Sequence, residues 1–138
     1  MDFLSGIEVS ADALTANKIK TDLIAQNIAN AHTTKDVDGE AYKRKVAVFE
    51  SYMNNADSSD PLAKSVHIES VQTDTSKGAK IYDPTHPHAD AEGMLQLTNV
   101  QVAKEMVDLM AANHAYDANI TVIATARQMA QQALSIGK

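Results

Sequence analysis

The residue types best suited to chemistry gather in one short stretch, Asp83-Pro84-Thr85-His86-Pro87-His88-Ala89-Asp90. Two imidazoles flanked by two carboxylates are ligands that zinc or nickel accept. His32, His67 and His114 are further donors elsewhere in the chain. The spacing argues against a metal centre. His86 and His88 straddle a proline in a rigid connector, and no helical His pair or Cys cluster supports them. No Gly-rich phosphate loop, nucleophile elbow or paired-acid spacing occurs either. Glu105 and Asp108 share a helix face, which reads as a solvated or intersubunit pair. The expectation is a protein with no catalytic residue, no metal, no cofactor and no small-molecule substrate.

If the chain does not react, its surfaces carry its function, and the elements that present them come next. Its 138 residues form one domain, or one helical stalk with a small inserted unit. Two Phe, four Tyr and no Trp are few for a dense core. Much of the apolar content is Ala, so stability is expected to come partly from neighbours. A net charge of -6 argues against a phosphate backbone as partner. Lys43-Arg44-Lys45 is the only basic run, and it reads as a solvated strand edge rather than a nucleic-acid patch. Without cysteine, the fold cannot depend on disulfides. Met1 to Glu8 has no basic start and no apolar run before a cleavage site, so no Sec signal is expected there.

The two ends match in kind. Asp12 to Asn30 reads as an amphipathic helix with Ser10 as its N-cap and an apolar stripe of Ile7, Ala11, Leu14, Ile24 and Ile28. Asn99 to Ile136 reads as a longer one, roughly 55 Å at about 1.5 Å per residue. Its seam runs Val102, Met106, Leu109, Asn113, Tyr116, Ile120, Ile123, Arg127, Ala130 and Leu134, in steps of four and three. A second stripe, Val122, Ala126, Met129, Ala133 and Ile136, widens the apolar surface. From Ala118 onward the remaining positions are mostly Asn, Thr, Gln and Ser, which suits a helix crowded by several neighbours.

Between the ends, Asp36-Val37-Asp38-Gly39 is a turn signal. Strand patterns follow at Tyr42 to Met53, Val66 to Glu69 and Lys80 to Tyr82, with a polar loop from Asn54 to Pro61. Prolines 84 and 87 end this β unit and set the approach to the long helix. The expected fold is mainly α with a small β unit: long N- and C-terminal helices paired in coiled-coil fashion (residues 1–33 and 99–138), and a β-rich outer segment (residues 34–98) inserted between them.

Asn27-Ile28-Ala29-Asn30, then Thr33, then Tyr42-Lys43-Arg44 resembles the N-terminal signature of bacterial flagellar rod and hook proteins. Independently, Asn99-Val100, Glu105-Met106-Val107-Asp108 and Tyr116-Asp117-Ala118-Asn119 resemble their C-terminal helix pattern. Asp83-Pro84, His86-Pro87, Ala89-Asp90 and Gly93, with the short middle segment, are similar to the small proximal-rod branch of that family. Met94 and Thr98 depart from it, standing where relatives often have Tyr and Pro, and His114 replaces a commonly basic or small polar residue. The resemblance implies a structural subunit whose terminal helices pack into the axle that crosses the periplasm, transmits torque and surrounds the export channel. Implied partners are other rod subunits, the membrane-ring base, the export gate and the distal rod, with self-assembly within the rod. It also implies export by the flagellar type III apparatus without a cleaved signal peptide, and Phe3 with Ile7 resembles the short export-gate motif of its substrates. The residues expected to pack in the assembly are Asn27, Ile28, Asn30, Val102, Met106, Leu109, Asn113, Tyr116, Asn119, Ile120, Ile123 and Leu134. The alternatives are a coiled-coil adaptor, which needs the heptads but not both terminal signatures, and another rod or hook member.

Overall fold

The computed structural model describes residues 3–36, 38–53 and 64–136, and for residues 3–5, 52, 53 and 64 the backbone only. The loop expected at Asn54 to Pro61 lies outside the described residues, as does Val37 of the first turn. Two long helices, α1 (Phe3–Ala29) and α2 (Val102–Ile136), pack against each other. Two small antiparallel sheets are inserted between them in the chain. One pairs β1 (Lys45–Met53) with β2 (Lys64–Thr73), and the other pairs β3 (Lys80–Tyr82) with β4 (Met94–Gln96). The register runs Lys45 opposite Thr73 to Met53 opposite Lys64, with a bulge between Val48 and Phe49. This first sheet lies along α1.

Several boundaries differ from those expected, each for a local reason. α1 begins at Phe3, so Ser10 is an interior residue and not a cap. Its hydroxyl donates to the Gly6 carbonyl at 2.9 Å, the back-bonding that lets serine sit mid-helix. β1 begins three residues after Tyr42, because the intervening backbone is engaged elsewhere. The Tyr42 N–H goes to the Thr33 carbonyl and the Arg44 N–H to the Asn99 side chain. Asn99 precedes α2, whose first hydrogen bond runs from the Glu105 N–H to the Gln101 carbonyl. The proline connector does not close the β unit. It joins β3 to β4, a strand whose three residues are too few to show alternation.

Two glycines are required where they stand. Gly39 closes the Asp36 turn at φ +83°, donating to the Asp36 carbonyl at 2.9 Å. Gly78 lets two backbones cross: a Cβ there would lie 2.2 Å from the carbonyl oxygens of both Leu97 and Thr98. The core is thin. Its buried apolar residues are Ala16, Leu23, Ile24, Ala31, Tyr42, Leu95 and Ala112 among the described residues. Buried beside them are Ser10, Asn27, Ser65, Thr98 and Glu105, so much of the interior is polar. Among the described residues no helix is long and apolar enough to cross a membrane.

Candidate assembly interface and its polar junction

Four segments meet at the end of the helix pair nearest the sheets: the end of α1, the entry to β1, the exit of β2 and the start of α2. Asn27 of α1 is buried and uses its whole amide. Its Oδ1 accepts from the Tyr42 hydroxyl at 3.0 Å and the Lys45 N–H at 2.9 Å. Its Nδ2 donates to the Lys45 carbonyl at 2.9 Å and to Glu105 Oε2 at 3.0 Å. Glu105 is fully buried, and Arg44 Nε donates to its Oε1 at 2.5 Å. Arg44 Nη2 reaches Asp108 Oδ2 at 3.2 Å. Asn99 Oδ1 accepts from the Arg44 N–H at 2.7 Å, while its Nδ2 donates to the carbonyls of Asp74 and Ser76, each at 3.0 Å.

The Arg44–Glu105 pair overturns two local readings. Arg44 is no solvated strand-edge cation, and Glu105 is no solvated carboxylate. Local patterning missed both because the partners lie 61 residues apart. A signal did exist. Asn27, Tyr42, Arg44, Asn99 and Glu105 are among the residues that carry the rod-and-hook resemblance, and here they form one hydrogen-bonded cluster.

Burial, reinforced by the carboxylates of Asp36 and Glu105, pushes the Tyr42 phenol above its ordinary pKa. A raised folded-state pKa means stability that is complete below the ordinary tyrosine range and lost as pH rises through the folded value. Chemical denaturation across alkaline pH should show that loss. Tyr42→Phe should cost about 1 kcal/mol at neutral pH, the lost bond to Asn27, and remove the alkaline component.

Away from the junction, α2 presents three faces about a third of a turn apart, as 3.6 residues per turn requires. One is turned to α1: Glu105 and Ala112 are buried, and Leu109, Asn119, Ile123, Ala126 and Ala130 are half-buried. A second carries exposed Met106, Met110, Asn113 and Ile120. Beside it an open groove of about 390 Å³ lies between Leu14 of α1 and Ile120, Ile123, Ala124 and Arg127 of α2. The third carries exposed Val107, Ala111, Ala118, Val122, Met129 and Ile136, with Lys104 at its junction end as its charge.

The expected assembly residues are divided among these places. Asn27 is in the junction, and Ile28 and Val102 are half-buried. Asn30 is half-buried and caps the end of α1 locally, its Nδ2 donating to the Gln26 carbonyl at 2.9 Å and its Oδ1 accepting from Thr33 at 3.2 Å. Asn119 bonds within its own helix, to the Ala115 carbonyl at 2.9 Å. Met106, Asn113, Tyr116, Ile120 and Leu134 are exposed, Leu134 by 75%. Ile7 is half-buried in the first turns of α1, and the Phe3 side chain lies outside the described residues.

The histidine connector is organised as turns. The His88 N–H donates to His86 Nδ1 at 3.1 Å, and His88 Nδ1 faces the Thr34 hydroxyl at 2.9 Å. Asp83 accepts from the N–H and hydroxyl of Thr85, and Asp90 from the N–H groups of Glu92 and Met94. Among the described residues no group of three or more His, Asp or Glu is arranged to hold a metal ion.

A buried polar junction joining two terminal helices, the longer of which exposes apolar residues along most of its length, describes an axial assembly subunit. Residues 91–136 match the family model described as the flagellar basal body rod FlgEFG protein C-terminal region. Over the full length, the chain is 38% identical to the flagellar basal-body rod protein FlgC of Bacillus subtilis, with all of both chains covered. It is 35% identical to FlgC of Borreliella burgdorferi, covering 99% of this chain and 98% of that one. With FlgC of Aquifex aeolicus the identity is 32%, covering 100% and 99%. The chain belongs to the FlgC family of flagellar basal-body rod proteins. Its role is structural, as a component of the rod.

Proposed function

We propose that the chain is a proximal-rod subunit whose two terminal helices (residues 1–33 and 99–138) form the axial core, with residues 34–98 outside them. The carrying observation is the exposed length of α2. Val107, Val122, Met129 and Ile136 are each more than half exposed along one face, on a helix with only Asp117 and Arg127 as charges beyond Asp108. A contiguous apolar surface of this kind marks an interaction site. Packed on several sides, such helices resist shear between subunits, which is what torque transmission from rotor to hook requires. A layer of them also surrounds an export channel.

The partners are other rod subunits and, at the ends of the rod, the membrane-ring base, the export gate and the distal rod. The rod spans the periplasm, and the subunit reaches it through the flagellar type III apparatus without a cleaved signal, with Phe3 and Ile7 in the export-gate motif. No catalysis takes part.

Val122→Asp tests this reading. The side chain is about half exposed, so folding stability of the isolated chain should change by no more than about 0.5 kcal/mol. In a motile bacterium whose own FlgC is deleted, the parent chain should restore swimming and basal-body rods, and the variant should not. Normal swimming with the variant would remove the outward α2 faces from the assembly.

A further inference from the structure

The apolar packing between the helices is strongly repetitive. The face of α2 turned to α1 is built from positions seven residues apart: Glu105, Ala112, Asn119 and Ala126 in one series, and Leu109, Ile123 and Ala130 in the next, with exposed Tyr116 at its edge. Ala112 is its one buried apolar residue among those described. Sliding α2 by seven residues, about 10 Å, would put Asn119 in the place of Ala112, Ala126 in the place of Asn119 and Tyr116 in the place of Leu109, with no charge exchanged beyond Glu105. Such an interface does not select its own register, because close packing of distinctive shapes is what discriminates between alignments.

Within α2 itself, the buried contact at Glu105 breaks the repeat. Glu105 stands at the head of its series and is the only acidic residue in it. Its two oxygens are taken by Arg44 Nε at 2.5 Å and Asn27 Nδ2 at 3.0 Å. In the slipped alignment Ala112 would lie beneath Arg44 and Asn27, and their donors would lose the buried carboxylate. Unpaired buried polar groups are costly where apolar contacts are interchangeable. A single buried polar contact is the best attested device for fixing helix register.

We propose that Arg44 and Glu105 are positioning residues that set the axial register of α2 against α1. They thereby decide which residues of α2 are presented outward. The register claim concerns the isolated subunit. Only its consequence for neighbours rests on the rod reading.

The absence of cysteine makes the register readable by oxidation of introduced pairs. Leu14→Cys combined with Ile123→Cys reports the observed alignment, since both positions line the same groove. Leu14→Cys combined with Ala130→Cys reports the alignment slipped by seven residues. In the isolated full-length chain, only the first pair should cross-link. In an Arg44→Met, Glu105→Leu background the first product should fall several-fold and the second should appear, with helical circular dichroism retained. The conservative Glu105→Gln, which keeps the shape and an acceptor oxygen, should preserve the first product.

Three results overturn the proposal. One is the parent alignment persisting alone in the double variant. Another is a parent chain that forms both products or neither. The third is loss of helicity in the double variant, because the pair would then hold the fold rather than choose its register. None of these alters the swimming result for Val122→Asp, so the two readings fail separately.

Discussion

Gly78→Ala should destabilise the subunit by about 3 kcal/mol, the upper end of what overpacking costs. The added methyl would sit 2.2 Å from two carbonyl oxygens, and both belong to backbone with little room to move. Leu97 donates its N–H to Ala79 at 2.9 Å, and the Gln96 side chain donates to the Gly78 carbonyl at 2.8 Å. Next in the chain, the Thr98 hydroxyl donates to the Ala31 carbonyl at 2.8 Å. Moving this strand therefore pulls on the β3–β4 pair, the end of α1 and the approach to α2 together. Gly6→Ala is the control. A Cβ there meets nothing within 4 Å, and alanine in a helix interior is favoured over glycine by up to about 1 kcal/mol. Urea denaturation of the two variants should move in opposite directions. A Gly78→Ala midpoint equal to that of the parent would mean that the crossing is looser than described.

Removing one member of the buried ion pair should matter just as much, and unequally by member. Arg44→Ala leaves the Glu105 carboxylate fully buried with the Asn27 amide as its remaining neighbour, an uncompensated charge worth about 4 kcal/mol. Glu105→Ala leaves Arg44 better provided for. Its side chain is 18% exposed and retains Asp108 at 3.2 Å. That loss should be nearer about 2 kcal/mol, a figure discounted for the surviving pair and for water. Equilibrium unfolding of the two variants side by side decides the order. A larger loss for Glu105→Ala would mean that the carboxylate contributes mainly through Asn27 and not through the guanidinium.

The long elements were legible because their patterns are long. Thirty-five residues of α2 repeat aliphatic and alanine positions often enough that two terminal helices, and a β unit between them, follow from periodicity alone. The start of α1 was not legible. Ser10 looks like an N-cap, and only its hydroxyl folding back onto the Gly6 carbonyl shows why it is not. The heptad seam, followed in steps of four and three, runs through Met106 and Ile120, which are exposed. The face turned to α1 is instead marked by Glu105 and Ala112, which lie off that seam. Arg44 was hidden in a run of three basic residues, and nothing local distinguishes the one that pairs with buried Glu105. The family signature reached what periodicity could not, since Asn27, Tyr42, Arg44, Asn99 and Glu105 are joined by hydrogen bonds across the fold.

The three faces of α2 have a geometrical consequence. Two outward stripes a little over a third of a turn apart are not opposite each other. A row of subunits joined through them cannot run straight. Each added subunit turns the row by the same angle, as wedge-shaped stones turn the line of an arch. A row that keeps turning either closes or spirals, and in both cases it leaves a hollow centre. Inserting a single residue between Met110 and Val122 would rotate the later part of each stripe by about 100° relative to the earlier part. The helix itself would survive, but the curvature would lose its constancy along the subunit.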